Sequence, residues 1–222
     1  MDEHDGGKLS SEERAQGNER RRRTYGEQAP TYDSSSERSE RWLFGTEHRG
    51  WLCARARGRT LEVAVGTGLN LGLYPAEVRL TAMDLTPQMM AIAVERAAEL
   101  RRHVSFSEGD AQALPFRDGT FDTVVATYAM CSVPDLPRTI REMQRVLVPG
   151  GRLLLLDHVR SSVTPFLWLQ KLLERMPSRD PEELTRRPRD DVEAAGFTIE
   201  ESGRFRAGIV ERLVAVKAAE AS

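Results

Sequence analysis

The stretch Leu61-Glu62-Val63-Ala64-Val65-Gly66-Thr67-Gly68-Leu69-Asn70 constrains the fold more than any other part of the chain. A short apolar, β-branched run passes into Gly-x-Gly, with one acid set inside the run. That order suits a buried parallel strand followed by a tight turn. Gly66 and Gly68 accept positive φ and carry no Cβ, so backbone there can approach a ligand at the carboxyl edge of a sheet. An acid in this neighbourhood, in place of a phosphate donor, points to a nucleotide-like ligand other than a pyrophosphate.

The downstream pattern repeats the theme. Apolar runs at 61–65, 78–84, 104–108, 121–127 and 152–157 read as strands, and 87–100, 136–148 and 190–195 read as helices. Thr86 is a candidate N-cap ahead of Pro87, and Pro149-Gly150-Gly151 is expected to stop the helix over 136–148. Strands alternating with helices predict an α/β, doubly wound sheet with right-handed crossovers. Residues 197–205 and 209–217 are separated only by Arg206-Ala207-Gly208, which predicts an antiparallel hairpin at the sheet edge. Residues 160–187 break the rhythm with Phe166, Leu167, Trp168, Leu169, Leu172 and Leu173. An inserted helix is expected there, its apolar face either packed on the core or walling a substrate site.

Ahead of the first strand, residues 1–23 are polar and charged and end in Arg20-Arg21-Arg22-Arg23. They read as a flexible charged tail, at most helical near its end, because they bury too little apolar surface to offset ordering. Residues 24–57 carry Tyr25, Tyr32, Trp42, Phe44 and Trp51 at helical spacings and are expected to form a helical lid over the domain at 58–222. The formal net charge of −2 gives no field that favours nucleic acid. The two cysteines, Cys53 and Cys131, form no metal-binding pair in sequence. No apolar run reaches the roughly 20 residues of a membrane span, and no secretory signal pattern opens the chain, so a cytoplasmic protein is expected.

Two further acids join the glycine loop. Asp84 ends the second strand about twenty residues after the loop, where a carboxylate can accept both hydroxyls of a ribose. Asp110, in Gly109-Asp110-Ala111-Gln112 after the third strand, can accept an adenine amine. With these residues in order, the chain resembles the class I S-adenosylmethionine-dependent methyltransferases over roughly residues 24–217. Glu62, Gly66 and Gly68 match that family's acid-x-Gly-x-Gly-x-Gly motif, with Ala64 in place of its first glycine. Leu114-Pro115-Phe116-Arg117-Asp118-Gly119-Thr120-Phe121-Asp122 and Arg145-Val146-Leu147-Val148-Pro149-Gly150-Gly151 match two later motifs.

The resemblance implies a Rossmann-like seven-stranded sheet in the order 3-2-1-4-5-7-6, with its last strand antiparallel and an N-terminal helical lid. It implies S-adenosyl-L-methionine as cofactor, S-adenosyl-L-homocysteine as product and no metal. The cofactor would be held by Glu62, Ala64, Gly66, Gly68, Asn70, Asp84, Leu85, Asp110, Ala111 and Tyr128, with Tyr25 and Tyr32 from the lid. Tyr128-Ala129-Met130-Cys131-Ser132-Val133 and Asp157-His158-Val159 are similar to the small-molecule branch, which includes ubiquinone/menaquinone C-methyltransferases and thiol methyltransferases. Leu73-Tyr74-Pro75 resembles the thiol-methylating group more. The end of strand four lacks an Asn/Asp-Pro-Pro-aromatic tetrad, which argues against methylation of nucleic-acid amines. An alanine at a strand φ is sterically acceptable, so Ala64 is expected to retune cofactor affinity without abolishing it.

A sulfonium methyl is already electrophilic, so such a site mainly aligns the acceptor and excludes water. His158, at the end of strand five and with an ordinary pKa of ~6.5, is the candidate general base. His48 is a lesser candidate for the acceptor pocket, His103 is expected on the far edge, and Cys131 is a candidate pocket wall. A nicotinamide oxidoreductase would want a third glycine where Leu71 stands. The remaining rival is a catalytically idle S-adenosylmethionine-binding protein acting as a regulator or partner surface.

Overall fold

The computed structural model describes residues 9–175 and 183–219. Helix α1 (Ser11–Gln28) opens with a capping box: the Ser10 side chain accepts the Glu13 N–H, and the Glu13 carboxylate accepts the Ser10 N–H. A 3₁₀ turn (Ala29–Thr31), α2 (Tyr32–Ser39), a π-turn (Glu40–Phe44) and α3 (Glu47–Cys53) complete the N-terminal helical region. Residues 11–23 are therefore helical where a flexible tail was expected. The cap and side-chain bonds to the sheet edge order a segment that hydrophobicity alone would not. Residues 1–8 lie outside the described residues.

Seven strands follow: β1 (Arg59–Val63), β2 (Arg79–Asp84), β3 (Val104–Glu108), β4 (Phe121–Thr127), β5 (Leu147–His158), β6 (Phe197–Phe205) and β7 (Val210–Lys217). Their order is 3-2-1-4-5-7-6, and β7 runs antiparallel to β5 and β6. Helices α4 (Pro87–Glu99), α5 (Leu136–Val146), α6 (Thr164–Arg175) and α7 (Pro188–Ala194) fill the connections. The run Leu153-Leu154-Leu155-Leu156 serves both faces of the sheet. Leu153 and Leu155 pack with Ile140, Met143 and Val192, while Leu154 and Leu156 pack with Leu52, Ala93 and Ala97. Period-two alternation on a sheet covered on both sides accounts for this division.

Three local readings change. Strand β1 ends at Val63, so Ala64 and Val65 belong to the turn. Thr86 holds the N-cap position of α4 without a side-chain cap bond; its N–H goes to Asp84 instead. Pro149-Gly150-Gly151 lies inside β5, where the register against β4 shifts between Phe121 and Thr123, and Gly150 takes φ 72°. Residues 176–182 of the expected insertion lie outside the described residues. Among the described residues no helix is long and apolar enough to cross a membrane.

Candidate active site

The carboxyl ends of the central strands and helices α1 and α2 border an open cleft of about 900 Å³, solvent at its mouth included. Ala64, Gly66, Asp84, Leu85, Asp110, Ala111, Tyr128, Tyr25 and Tyr32 line it; Glu62, Gly68, Asn70 and His158 do not. The two loop glycines have separate tasks. Gly66 (φ 56°) faces open space, with no atom within 4 Å of where a Cβ would stand. Gly68 (φ 83°) instead lets the loop close on α4, since a Cβ would fall 2.8 Å from Leu71 Cδ1 and 3.1 Å from Ala93 Cβ. Asp84 fixes the loop from β2: Oδ2 accepts the Gly66 N–H and Oδ1 the Thr86 N–H, each at 2.7 Å. Burial pushes its pKa up, opposed by these backbone donors.

Glu62 lies beneath the cavity. Its carboxyl is buried, and desolvation raises its pKa to about 7 against the bond from Asn70, the nearby Tyr74 hydroxyl and the charge of Arg49. Asn70 donates to Glu62 Oε1 at 2.7 Å and to Thr127 Oγ1 at 2.9 Å. Arg49, from α3, donates through Nη1 to Asn70 Oδ1 and Thr127 Oγ1 and through Nε to Glu40 Oε1, at 3.1, 2.8 and 2.7 Å. Glu62 and Asn70 thus act on the cavity through Arg49 and Thr127, which line it. A buried, fully charged guanidinium beside Glu40 offers a fixed anchor for a carboxylate.

Two residues other than glycine hold positive φ on this wall: Ala64 at 57° and Tyr128 at 51°. The expected strand conformation of Ala64 is thereby overturned. The chain bends sharply straight after Val63, and Val65 bonds to Met83 O at 3.0 Å, so the residue between them must take the left-handed region. Tyr128 donates its N–H to Leu156 O at 2.6 Å, and its buried hydroxyl has no partner among the described residues. Its ring centre lies 4.6 Å from His158 and 4.8 Å from the Arg49 guanidinium carbon.

His158 stands behind this wall. It stacks 4.0 Å from Phe44, and neither ring nitrogen has a partner among the described residues. Burial, then the charge of Arg49, lowers its pKa to about 4, so the ring is neutral at pH 7. His48 is also off the cavity, buried against Phe205 at 4.5 Å and 3.3 Å from Arg212, and His103 is exposed ahead of β3. Cys131, Asp157 and His158 bring ligand-type atoms within 4.8 Å of one another. Asp157 already accepts N–H bonds from Ala129, Met130 and His158, so this cluster clamps the loop after β4.

Asn18, Arg21 and Arg49, none of them expected from the sequence, also stand on the cavity wall. Asn18 donates to Asp110 Oδ2 at 2.8 Å and accepts from Gln112 at 3.1 Å; Arg21 bonds Ser132 O. Arg22 reaches Leu85 O at 3.1 Å and Glu108 at 2.9 Å. Asp33 of α2 bonds Thr67 and Arg96. No residue of α1 is buried, so polar contacts hold this cover. Residues 18, 21, 22 and 25 share one helical face, a signal that was present in the sequence.

Residues 61–155 match the family described as a methyltransferase domain. Over 120 residues the chain is 40% identical to a phosphatidylethanolamine N-methyltransferase of Cereibacter sphaeroides, covering 53% of this chain and 59% of that one. It is 37% identical to a demethylmenaquinone methyltransferase of Deinococcus radiodurans (49% of each chain). It is 36% identical to a human thiol S-methyltransferase (50% of this chain and 48% of that one). The chain thus spans about half the length of the curated relatives it matches. A solved S-adenosylmethionine-dependent methyltransferase from Thermotoga maritima shares the fold at TM-score 0.66 and 21% identity, over 88% of this chain and 99% of that one. A [4+2]-cyclase shares it at TM-score 0.62 and 22% identity, over 77% and 78%.

Proposed function

We propose that the chain, whose residues 61–155 match the methyltransferase domain family, transfers a methyl group from S-adenosylmethionine to a small apolar or aromatic acceptor. The observation that carries this reading is the Asp84 clamp on Gly66 at an open cavity wall, closed over by a helical lid. The residues present fit the cofactor. Asp84 lines the cavity beside Gly66, where its carboxylate can accept from a ribose hydroxyl. Leu85, Ala111 and the Asp110–Asn18 pair frame space for a base, and Arg49 with Thr127 offers the amino-acid carboxylate a cation and a hydroxyl.

When bound, the cofactor supplies an electrophilic sulfonium methyl. The protein supplies alignment and dryness. Tyr25 and Tyr32, whose rings meet edge to face at 6.5 Å, cover the cavity, and Tyr128, with its backbone at φ 51°, presents its ring to the acceptor. Burial holds the Tyr128 phenol protonated, and His158 is separated from the cavity by that ring. We therefore assign His158 a positioning role, stacking behind Tyr128, and read the transfer as driven by proximity. His158→Phe should keep turnover and cofactor affinity, whereas an essential base would lose its activity in that variant.

Calorimetric titration with S-adenosylmethionine, beside Asp84→Asn, tests the cofactor half: no heat from the wild-type chain refutes it. Labelled-methyl transfer to quinols, phenols, thiols and amines tests the other half. The strained Ala64, and the use of this fold by a [4+2]-cyclase, favour a second reading as a cofactor-binding protein that does not methylate. Turnover on any acceptor eliminates it.

A further inference from the structure

The outer face of α6 is apolar. At 100° per residue, Trp168, Leu172, Leu169, Leu173 and Phe166 fall within one arc of about 160°. All five are exposed, from 45% for Leu173 to 68% for Trp168, while Gln170, about 40° beyond Phe166 at the edge of this arc, is buried. Gln170 fastens the helix inward, accepting from Ser161 N at 2.7 Å and donating to Val159 O and Leu184 O at 2.9 and 3.0 Å. These bonds hold one flank of the helix inward and leave the apolar arc exposed. Trp42 (75%) and Leu43 (57%), in the π-turn, are exposed as well. Two of the three tryptophans thus face water, whereas Trp51 lies between Arg55 and Arg212.

The two apolar segments belong to one end of the fold. Phe44, next to Leu43, stacks on His158 at the end of β5, and Val159 and Ser161, just beyond, hold Gln170 of α6. Tyr128, against the same His158, forms the cavity wall. Lys171 on α6 and Arg38 and Arg41 beside Trp42 make no ion pair among the described residues. The exposed acids here are Glu37 and Glu47 near Trp42 and Glu174 on α6, the last hydrogen-bonded to Thr185, while Glu40 is tied to Arg49. Tryptophan, phenylalanine and leucine on one face with cations at its margin is the composition of a helix that lies in a lipid headgroup region.

We propose that α6, with Trp42 and Leu43, seats this protein on the surface of a phospholipid bilayer containing anionic lipid. This extends the proposed function by placing acceptor uptake at a bilayer, the setting of an apolar molecule that does not reach the cavity through water. Docking itself requires neither cofactor nor turnover, so it can fail while the methyltransferase reading stands, and the reverse.

The test is flotation of the full chain with vesicles of phosphatidylcholine containing a minority of phosphatidylglycerol, beside vesicles of phosphatidylcholine alone. The wild-type chain should float with the mixed vesicles, less with the neutral ones, and its tryptophan emission should shift to the blue. Trp168→Ser/Leu172→Ser should lower the partition coefficient about tenfold or more, since each side chain loses much of its apolar burial. Its Tm and its heat of binding S-adenosylmethionine should be unchanged, because both positions lie on the outer arc. Wild-type protein left at the bottom with both vesicle types overturns the proposal, as does equal flotation of the double variant. A wild-type dimer that the double variant converts to monomer, without flotation of either, assigns the face to self-association and also overturns it.

Discussion

Ala64→Gly discriminates between two backbone conformations by the sign of its effect. Ala64 holds φ 57°, and an L-residue in the left-handed region costs about 1–2 kcal/mol. Glycine removes that cost but gives back about 0.4–1 kcal/mol through the greater freedom of the unfolded chain. Ala64 is half-buried against the core, so losing its methyl takes back a further ~0.4 kcal/mol, half the value of a buried CH₂. The net is a gain of about 0.5 kcal/mol, or about 1–2 °C in Tm for a chain of this size. Were Ala64 in a strand conformation, glycine would instead cost about 0.5–1 kcal/mol. Ala64→Val sharpens the contrast, because a β-branched residue is disfavoured at positive φ and favoured in a strand. Urea denaturation with linear extrapolation, together with thermal scans of the ligand-free chain, should rank the variants Gly above Ala above Val. The reverse ranking refutes the left-handed assignment and, with it, the account of the turn after Val63.

Three other outcomes are expected. Glu62 has a raised folded pKa of about 7 against its ordinary 4.5, so the folded state holds its proton more tightly, and the stabilisation present below pH 4.5 is lost as pH rises towards 7. The stability of Glu62→Gln minus that of wild type should therefore climb across that window by at most about 3 kcal/mol. The opposite-signed contribution of His158 cancels in this difference, and a flat difference curve contradicts the buried carboxyl. Arg49→Ala should destabilise by about 3–5 kcal/mol because it strands Glu40 as a buried charge; Glu40→Gln/Arg49→Met should recover most of this in urea melts while still binding S-adenosylmethionine weakly. Asn18→Leu removes one charge-assisted lid bond, worth about 1.5 kcal/mol, so cofactor affinity should fall about tenfold by calorimetry, with faster proteolysis inside α1; equal affinity would show that the lid is not engaged.

Local pattern carried the sheet. Strand periods, the Gly66 turn, Asp84 at the end of β2 and the short link before β7 each depend on residues close together in sequence, whereas the order 3-2-1-4-5-7-6 was implied only by the family resemblance and is the order observed. Backbone choice at a single turn was harder. Ala64 looks like strand from its neighbours, and only the simultaneous demands of Val63 in β1 and the Val65–Met83 bond force it into positive φ. The same holds for the cavity's polar ends. Asn18 meets Asp110 across 92 residues, and Arg49 meets Thr127 across 78. His158 had the right side chain at the right strand end, yet burial behind Tyr128 removed it from the cavity. The sequence by itself determined the sheet and the glycine turn, because hydrophobic period and glycine freedom act within a few residues. Tertiary structure alone decided which charges meet at the cavity and that His158 stands off its wall, because burial and distance depend on segments that meet only when the chain is folded.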